Sequence, residues 1–269
     1  AECNQVELCT RTQASSVEWF QQRRGRITAS VVGKVRSCCT GAEGIVSKVM
    51  GYTKTPNVFS VRWGKDNEVK ARNRFTANEA PKHRGFEVKM CGLLVDPERP
   101  YLGASLDGVV SCGCCNDAVL EIKCPATCAN LRIDQAKSVL PYLDNSAHLK
   151  EDYAHYAQVQ MQMALAKTTR AFFVVYTNVD LSGEEVLFNE CFWNTTVSIA
   201  EEFYFSYVFP EIHGRESLKE IKDANDMCIC KTQKSGSVLR CDACDRAVHM
   251  KCVKLRHMPK RWVCSACQL

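Results

Sequence analysis

The sequence has little proline and glycine, 8 and 14 residues in 269, so a collagen-like or low-complexity chain is excluded. It has no long apolar run: the longest purely apolar stretch, residues 171–176, is far too short to cross a bilayer. Residues 1–20 are polar and lack the apolar segment of a secretory leader, and the chain opens on Ala1 rather than Met, so a fragment or processed chain is expected. Neither sign of charge dominates, with 35 Lys/Arg against 30 Asp/Glu, and a 46% hydrophobic share excludes a wholly disordered chain. Cysteine is the exception: 18 of them need a chemical reason.

Seven cysteines fall between Cys228 and Cys267, beside a histidine at metal-ligand spacing, and eleven are spread through a chain long enough to bury a core. A domain of that size needs no disulfide framework. A reducing, intracellular compartment is therefore expected, with thiols free or on metal. Charge is uneven as well. Residues 226–269 hold nine Lys/Arg and three Asp, a net +6, and residues 11–54 hold eight basic and two acidic residues, again +6. Such zones suit a solvated surface or a nucleic acid.

Ser15-x-x-Glu18 has the form of a capping box before a helix over residues 17–24, which Gly25 would end. Thr28 and Ser30 can cap a second helix to about Arg36, and residues 43–51 and 61–78 also read as helical. Patterning turns to the β type over residues 85–110. Residues 118–124 form a strand in which Leu120 and Ile122 point one way and Glu121 and Lys123 the other. A helix over 148–167, strands near 171–177 and 185–191 and a helix over 195–208 complete an α/β domain, a mixed sheet flanked by helices. The expected divisions are a leading segment 1–14, a main domain 15–213, a linker 214–225 and a finger 226–269.

Asp107 is followed, after thirteen residues, by Glu121-Ile122-Lys123. An Asp at a strand end and Glu-x-Lys on the next strand put two carboxylates and an ammonium on one face. Those oxygens suit Mg²⁺ or Mn²⁺, and such a metal activates water and stabilises a phosphodiester being cut. Alone, the pattern also describes a surface strand with an ion pair.

Its context is more specific. Trp19-Phe20-Gln21-Gln22-Arg23-Arg24-Gly25-Arg26-Ile27-Thr28-Ala29-Ser30, Trp63-Gly64-Lys65-Asp66-Asn67-Glu68, Ser105–Gly108 with Leu120–Pro125, and Ala157-Gln158-Val159-Gln160-Met161-Gln162 stand in order along the chain. Together they resemble the YqaJ/phage lambda exonuclease family of PD-(D/E)xK nucleases over about residues 16–210. The resemblance implies that Asp107, Glu121, Glu68 and the carbonyl of Ile122 hold the catalytic metal, that Lys123 acts on the attacking water, and that Gln158 orients groups at the site. It also implies a pocket for a terminal 5′-phosphate at Arg23, Ser30 and Ser105, with Arg24 and Arg26 nearby on the DNA. A guanidinium binds phosphate bidentately, and hydroxyls add donors. Leu106 replaces a proline common in the family. The insert before Glu121 carries Cys112, Cys114 and Cys115, which with Cys124 (or Cys91 or Cys128) are candidate ligands of a further zinc; free thiols are the alternative.

The C-terminal array runs Cys228-x-Cys230, Cys241-x-x-Cys244, His249-x-x-Cys252, Cys264-x-x-Cys267. This is ligand chemistry for two tetrahedral zinc ions. With Trp262 two residues before Cys264, it resembles a PHD finger, in which ligand pairs interleave. That implies Cys228, Cys230, His249 and Cys252 on one zinc, and Cys241, Cys244, Cys264 and Cys267 on the other. So small a fold takes its folding free energy from the metals. A trimethyl-lysine reader needs an aromatic cage, but Ala247 stands two residues before the histidine, where such a finger carries an aromatic. Lys251, Lys254, Arg256, Lys260 and Arg261 are candidate DNA-phosphate contacts. Asp242 and Asp245 are candidates for an unmodified histone tail, and a finger with no ligand is the remaining option.

The expectation is a restriction-endonuclease-like core with a small two-zinc finger. It would act as a metal-dependent exonuclease on linear duplex DNA, 5′→3′, giving 3′ single-stranded tails for recombination or repair. Expected partners are DNA ends, chromatin or a single-strand annealing protein, with a homo-oligomer suggested by the phage relative; the expected setting is nuclear. A structure-specific endonuclease and an inert DNA- or chromatin-binding module are the alternatives.

Overall fold

A computed structural model describes residues 2–39, 41–53, 58–214, 228, 237–243, 247–255, 257–259, 261–264 and 267. Its helices are α1 (Glu2–Cys9), α2 (Val17–Arg23), α3 (Ala29–Arg36), α4 (Glu43–Val49), α5 (Phe59–Glu79), α6 (Ile133–Ala136), α7 (Ala154–Ala166), α8 (Glu190–Phe203) and α9 (Phe209–Gly214). Its strands are β1 (Ile27–Thr28), β2 (Glu87–Lys89), β3 (Leu93–Val95), β4 (Leu102–Ser105), β5 (Gly108–Ser111), β6 (Ala118–Lys123), β7 (Arg170–Tyr176), β8 (Leu181–Leu187), β9 (Val238–Arg240) and β10 (Ala247–His249). Contacts divide the chain into two units, Ala1–Gly33 with Lys54–Thr196, and Lys34–Thr53 with Val197–Leu269.

The first unit is α/β. Its main sheet has the order β2-β5-β6-β7-β8. Only β6 and β7 run parallel, with Glu121 opposite Phe173, and the other neighbours are antiparallel. The parallel pair requires a crossover, and the segment containing α7 supplies it. A smaller sheet, β1-β4-β3, lies beside it in sequence. One face of the main sheet packs Leu120, Ile122, Val174 and Tyr176 against Ala71 and Phe75. Those two are four residues apart on α5 and so share a stripe with Asn67, which is also buried. Pro81 stands just beyond the last turn of α5, where it cannot continue the helix. Both faces of β6 are covered, which is why it reads as one apolar run broken by Glu121 and Lys123.

Several boundaries differ from the sequence reading, each for a local reason. The cap of α2 is Ser16, whose hydroxyl accepts from the Trp19 N–H, while Ser15 lies in the preceding 3-10 turn. α7 starts at Ala154 rather than near 148, because Asp144 takes the N–H groups of Ser146 and His148 into a turn. β8 ends at Leu187, and Asn189 caps α8 through the Phe192 N–H, so this helix begins earlier than expected. A π-helical turn, Tyr204–Val208, follows it. The leading segment is itself helical. Glu7 accepts from the Gly92 N–H and Thr10 from the Leu93 N–H, so α1 satisfies the backbone at the start of β3. Gly92 is required there, because a Cβ would stand 1.9 Å from the Glu7 carbonyl oxygen.

In the second unit, Tyr52 donates to the buried Glu211 on α9. The finger's described residues centre on the β9–β10 hairpin, Leu239 opposite Val248, with Cys228, Leu239, Val248 and Met250 as its core. Of the expected linker, residues 215–225 lie outside the described residues, as do Cys230, Cys244, Asp245, Arg256 and Lys260.

Candidate active site and metal centres

β5 and β6 pair only as far as Gly108 and Leu120. Beyond that point the Ile122 N–H has no strand partner on this side and donates to Asp107 Oδ2 at 2.7 Å. Asp107 and Glu121 are thereby set side by side. Glu121 is 3% exposed, and every partner it has is polar. Lys123 Nζ lies 2.5 Å from Oε1, Gln158 Nε2 2.7 Å from Oε1, and Gln162 Nε2 2.6 Å from Oε2. Lys123 also donates to Gln158 Oε1 at 3.2 Å. Both glutamines come from α7, one turn apart, so one helix face holds the buried carboxylate in place.

Glu68 comes from α5, where Arg72 one turn later holds Oε1 at 2.5 Å and donates from Nε to the Asp107 carbonyl at 2.9 Å. Burial, and then the Glu121 and Glu68 carboxylates, push Asp107 well above the usual carboxylate range. Burial pulls Lys123 down, but the charge and hydrogen bond of Glu121, with Asp107, outweigh it and hold the ammonium above its ordinary value. The carboxylate cluster is thus charged against itself with one lysine inside it, a setting that a cation would relieve.

A second cluster lies on α2, β1, α3 and β4. Arg23 donates to Ser105 Oγ at 3.3 Å, to Ser30 Oγ at 3.3 Å and to Thr28 Oγ1 at 3.4 Å. Its guanidinium lies 4.1 Å from the centre of the Trp19 ring, and Trp19 Nε1 donates to Ser105 Oγ at 2.8 Å. Burial lowers Arg23 to about 10. No carboxylate pairs with it among the described residues. Arg24 is exposed, and Arg26 donates to the carbonyls of Pro100 and Gln22. Ser105 connects the two clusters: its hydroxyl takes Arg23, and its carbonyl accepts from Gln162 at 3.1 Å, the same amide that holds Glu121.

Sequence reasoning missed four of these partners: Gln162, Arg72, Thr28 and His155. Gln162 and Arg72 were legible as the i+4 neighbours of Gln158 and Glu68. His155 packs among Tyr142, Tyr153 and Phe173, and burial, then the Lys123 charge, lower it to about 3. It is neutral when folded and binds a proton near its ordinary value when unfolded. Stability is therefore complete above about pH 6.5 and falls as the pH drops towards 3. Urea unfolding across that range is expected to show a shallower pH slope for His155→Gln than for the parent chain; identical slopes would remove this assignment.

The finger's described ligands fall into the interleaved sets. Cys228, His249 and Cys252 come together, as do Cys241, Cys264 and Cys267, with ligand atoms within 4.8 Å in each set. The Asp242 carboxylate accepts from the Trp262 N–H, and Ala247 is fully buried. In the β5–β6 connection, Cys112, Cys114 and Cys115 group with His83 and not with Cys124, Cys91 or Cys128. Cys124 follows Lys123 directly. Burial, then the Glu68 and Asp107 charges, push its thiol up to about 12.

A mixed sheet carrying Asp107 and Glu-x-Lys on adjoining strands, with α5 and α7 supplying Glu68 and Gln158, defines a restriction-endonuclease-like nuclease core. The chain belongs to the YqaJ-like viral recombinase domain family, matched over residues 18–171, a family of DNA exonucleases, and carries a PHD finger over residues 228–267. It is similar in fold to an alkaline exonuclease, LHK-Exo, from Laribacter hongkongensis (23% identity, TM-score 0.56, covering 78% of this chain and 96% of that one). LHK-Exo in complex with dAMP is alike at 22% identity and TM-score 0.57, with coverage of 78% and 96%. SOX in a SOX–DNA complex is alike at 13% identity and TM-score 0.52, covering 82% of this chain and 72% of that one. Comparison with curated proteins gives no match.

Proposed function

We propose that the chain is a metal-dependent exonuclease that digests linear duplex DNA from the 5′ end and leaves 3′ single-stranded tails for recombination or repair. The observation that carries this reading is the link through Ser105. A partly buried cation, with no acidic partner among the described residues, is joined through Ser105 to a carboxylate cluster. An enzyme that grips a terminal phosphate beside its cutting centre removes nucleotides from an end. The family match and the structural neighbours named for exonuclease activity, dAMP and DNA support the substrate class.

Asp107, Glu121 and Glu68, with the carbonyl of Ile122, would hold a Mg²⁺ or Mn²⁺ ion. Hard oxygen donors fit either ion, and the self-repulsion that raises Asp107 is what a divalent cation would cancel. When bound, that metal supplies a more acidic water and an electrophilic charge at the phosphate. The chain's own groups do the rest. Lys123 keeps its proton and offers it towards the attacking water or a phosphoryl oxygen. Gln158 holds Lys123 and Glu121 in register, Gln162 fixes the far oxygen of Glu121, and Arg23 with Thr28, Ser30 and Ser105 takes the terminal phosphate. The finger adds DNA affinity or directs the nuclease to chromatin, in a nuclear setting. An annealing protein that takes up the 3′ tail is a fitting partner.

Digestion of a linear duplex labelled at one 5′ or one 3′ end is the test, with Mg²⁺ and with chelator. Early release of the 5′ label as a mononucleotide, only with metal, is expected. Cuts within a covalently closed circle would replace this reading with an endonuclease, and metal-independent binding without cleavage would leave an inert module.

A further inference from the structure

We infer that His83, Cys112, Cys114 and Cys115 form a structural zinc site in the nuclease domain, separate from the active site and from the finger. The four come from two segments. His83 follows the 3-10 turn that ends α5, and the three cysteines lie in the turn between β5 and β6. His83 Nδ1 stands 3.7 Å from Cys112 Sγ, 3.3 Å from Cys114 Sγ and 3.6 Å from Cys115 Sγ. Cys114 Sγ stands 3.4 Å from Cys112 Sγ and 3.8 Å from Cys115 Sγ. A tetrahedral zinc with Zn–S of about 2.3 Å and Zn–N of about 2.0 Å has edges of roughly 3.5–3.8 Å. The observed edges match that polyhedron around a single ion. They are far too long for disulfide bonds, which need sulfurs about 2 Å apart.

The surroundings also suit a metal. Glu79 Oε2 lies 3.8 Å from His83 Nε2, so a carboxylate faces the ring nitrogen opposite the thiols and favours the tautomer with Nδ1 free. Phe86 stacks on the imidazole, centroids 5.3 Å apart, and fixes its plane. Gly113 N–H donates to the Arg84 carbonyl at 2.7 Å and Arg84 donates back to the Gly113 carbonyl at 2.9 Å, so the two ligand segments are tied together independently of any ion. Three thiolates and one imidazole leave no open position, which makes the site structural rather than catalytic. Binding releases the thiol protons to solvent. The ion would clamp the β5–β6 turn to the end of α5. Asp107 and Glu121 stand at the other end of that same hairpin, and Glu68 lies on α5, so one knot would hold the three elements that carry the carboxylates.

The test is the zinc content of the full-length chain, measured by native mass spectrometry and elemental analysis. With the finger loaded, three zinc ions per chain are expected, falling to two in His83→Ala and in Cys114→Ser and staying at three in Cys124→Ser. Should those variants fail to fold, the parent site is counted alone in a chain whose finger is disabled by Cys228→Ser with Cys241→Ser. One ion retained there supports the site. A parent chain holding no more zinc than its His83 and Cys114 variants, or a finger-disabled chain holding none, overturns it. None of these counts depends on nuclease activity.

Discussion

Lys123→Ala is expected to abolish cleavage and leave DNA binding in place. A charged group acting on a developing phosphoryl charge or on the attacking water contributes about 10²–10⁴-fold, so turnover should fall by about that factor. The same change removes the ammonium 2.5 Å from a carboxylate that is 3% exposed. Breaking a buried pair in this way costs about 3–5 kcal/mol, but Gln158 and Gln162 keep donating to Glu121 and hold the loss below that. A lower melting temperature is thus part of the expectation, and lost activity must be read on chain shown to be folded at the assay temperature. Lys123→Arg is the sharper companion. It keeps the charge but replaces a compact ammonium with a planar fork that cannot occupy the space between Glu121 and Gln158. It should also fail to cut, with a smaller loss of stability. Folded Lys123→Ala cutting at the parent rate would remove Lys123 from the mechanism.

The parts of this molecule that were legible in sequence are those whose chemistry is local. Alternation along β6 placed Glu121 and Lys123 on one face, because a strand's period leaves no other choice. The finger's pairing was open to reading through its resemblance to a PHD finger, and the described ligands group in those sets. What stayed hidden depends on contacts between distant segments. α1 has no buried apolar stripe to announce it. It is helical in a fold where Glu7 and Thr10 satisfy backbone N–H groups 85 and 83 residues away. His83 lies 29 residues before Cys112 with no motif between them. It is the β2–β5 pairing, Glu87 opposite Ser111, that brings histidine and thiols together, whereas the sequence reading had named Cys124, or Cys91 or Cys128, as the further ligand. Arg26 is a like case: it sits in a basic run that resembles the family's opening motif, and only the fold shows its guanidinium donating to the carbonyl groups of Pro100 and Gln22.

Arg23→Ala is expected to erase a preference for 5′-phosphorylated over 5′-hydroxyl ends while leaving the fold as stable as before. The two effects distinguish a ligand site from a structural one. In the free protein, Arg23 is a partly buried cation, with three hydroxyl oxygens and an indole face for company and no carboxylate paired with it among the described residues. Deleting an ion-paired arginine would strand its partner; deleting this one strands nothing charged, so unfolding should be little changed. With a terminal phosphate bound, the same guanidinium becomes half of a desolvated charge pair, and losing it costs about 2–5 kcal/mol. That corresponds to roughly 30- to several-thousand-fold slower digestion of phosphorylated ends, down to the rate of hydroxyl ends. Arg23→Lys should recover only part of it, because one ammonium cannot reach Ser30, Thr28 and Ser105 while holding two phosphate oxygens. A variant that loses stability but keeps the end preference would make Arg23 a packing residue. Equal digestion of both ends by the parent chain would separate the pocket from the 5′ terminus, and with it the physical basis for 5′→3′ polarity.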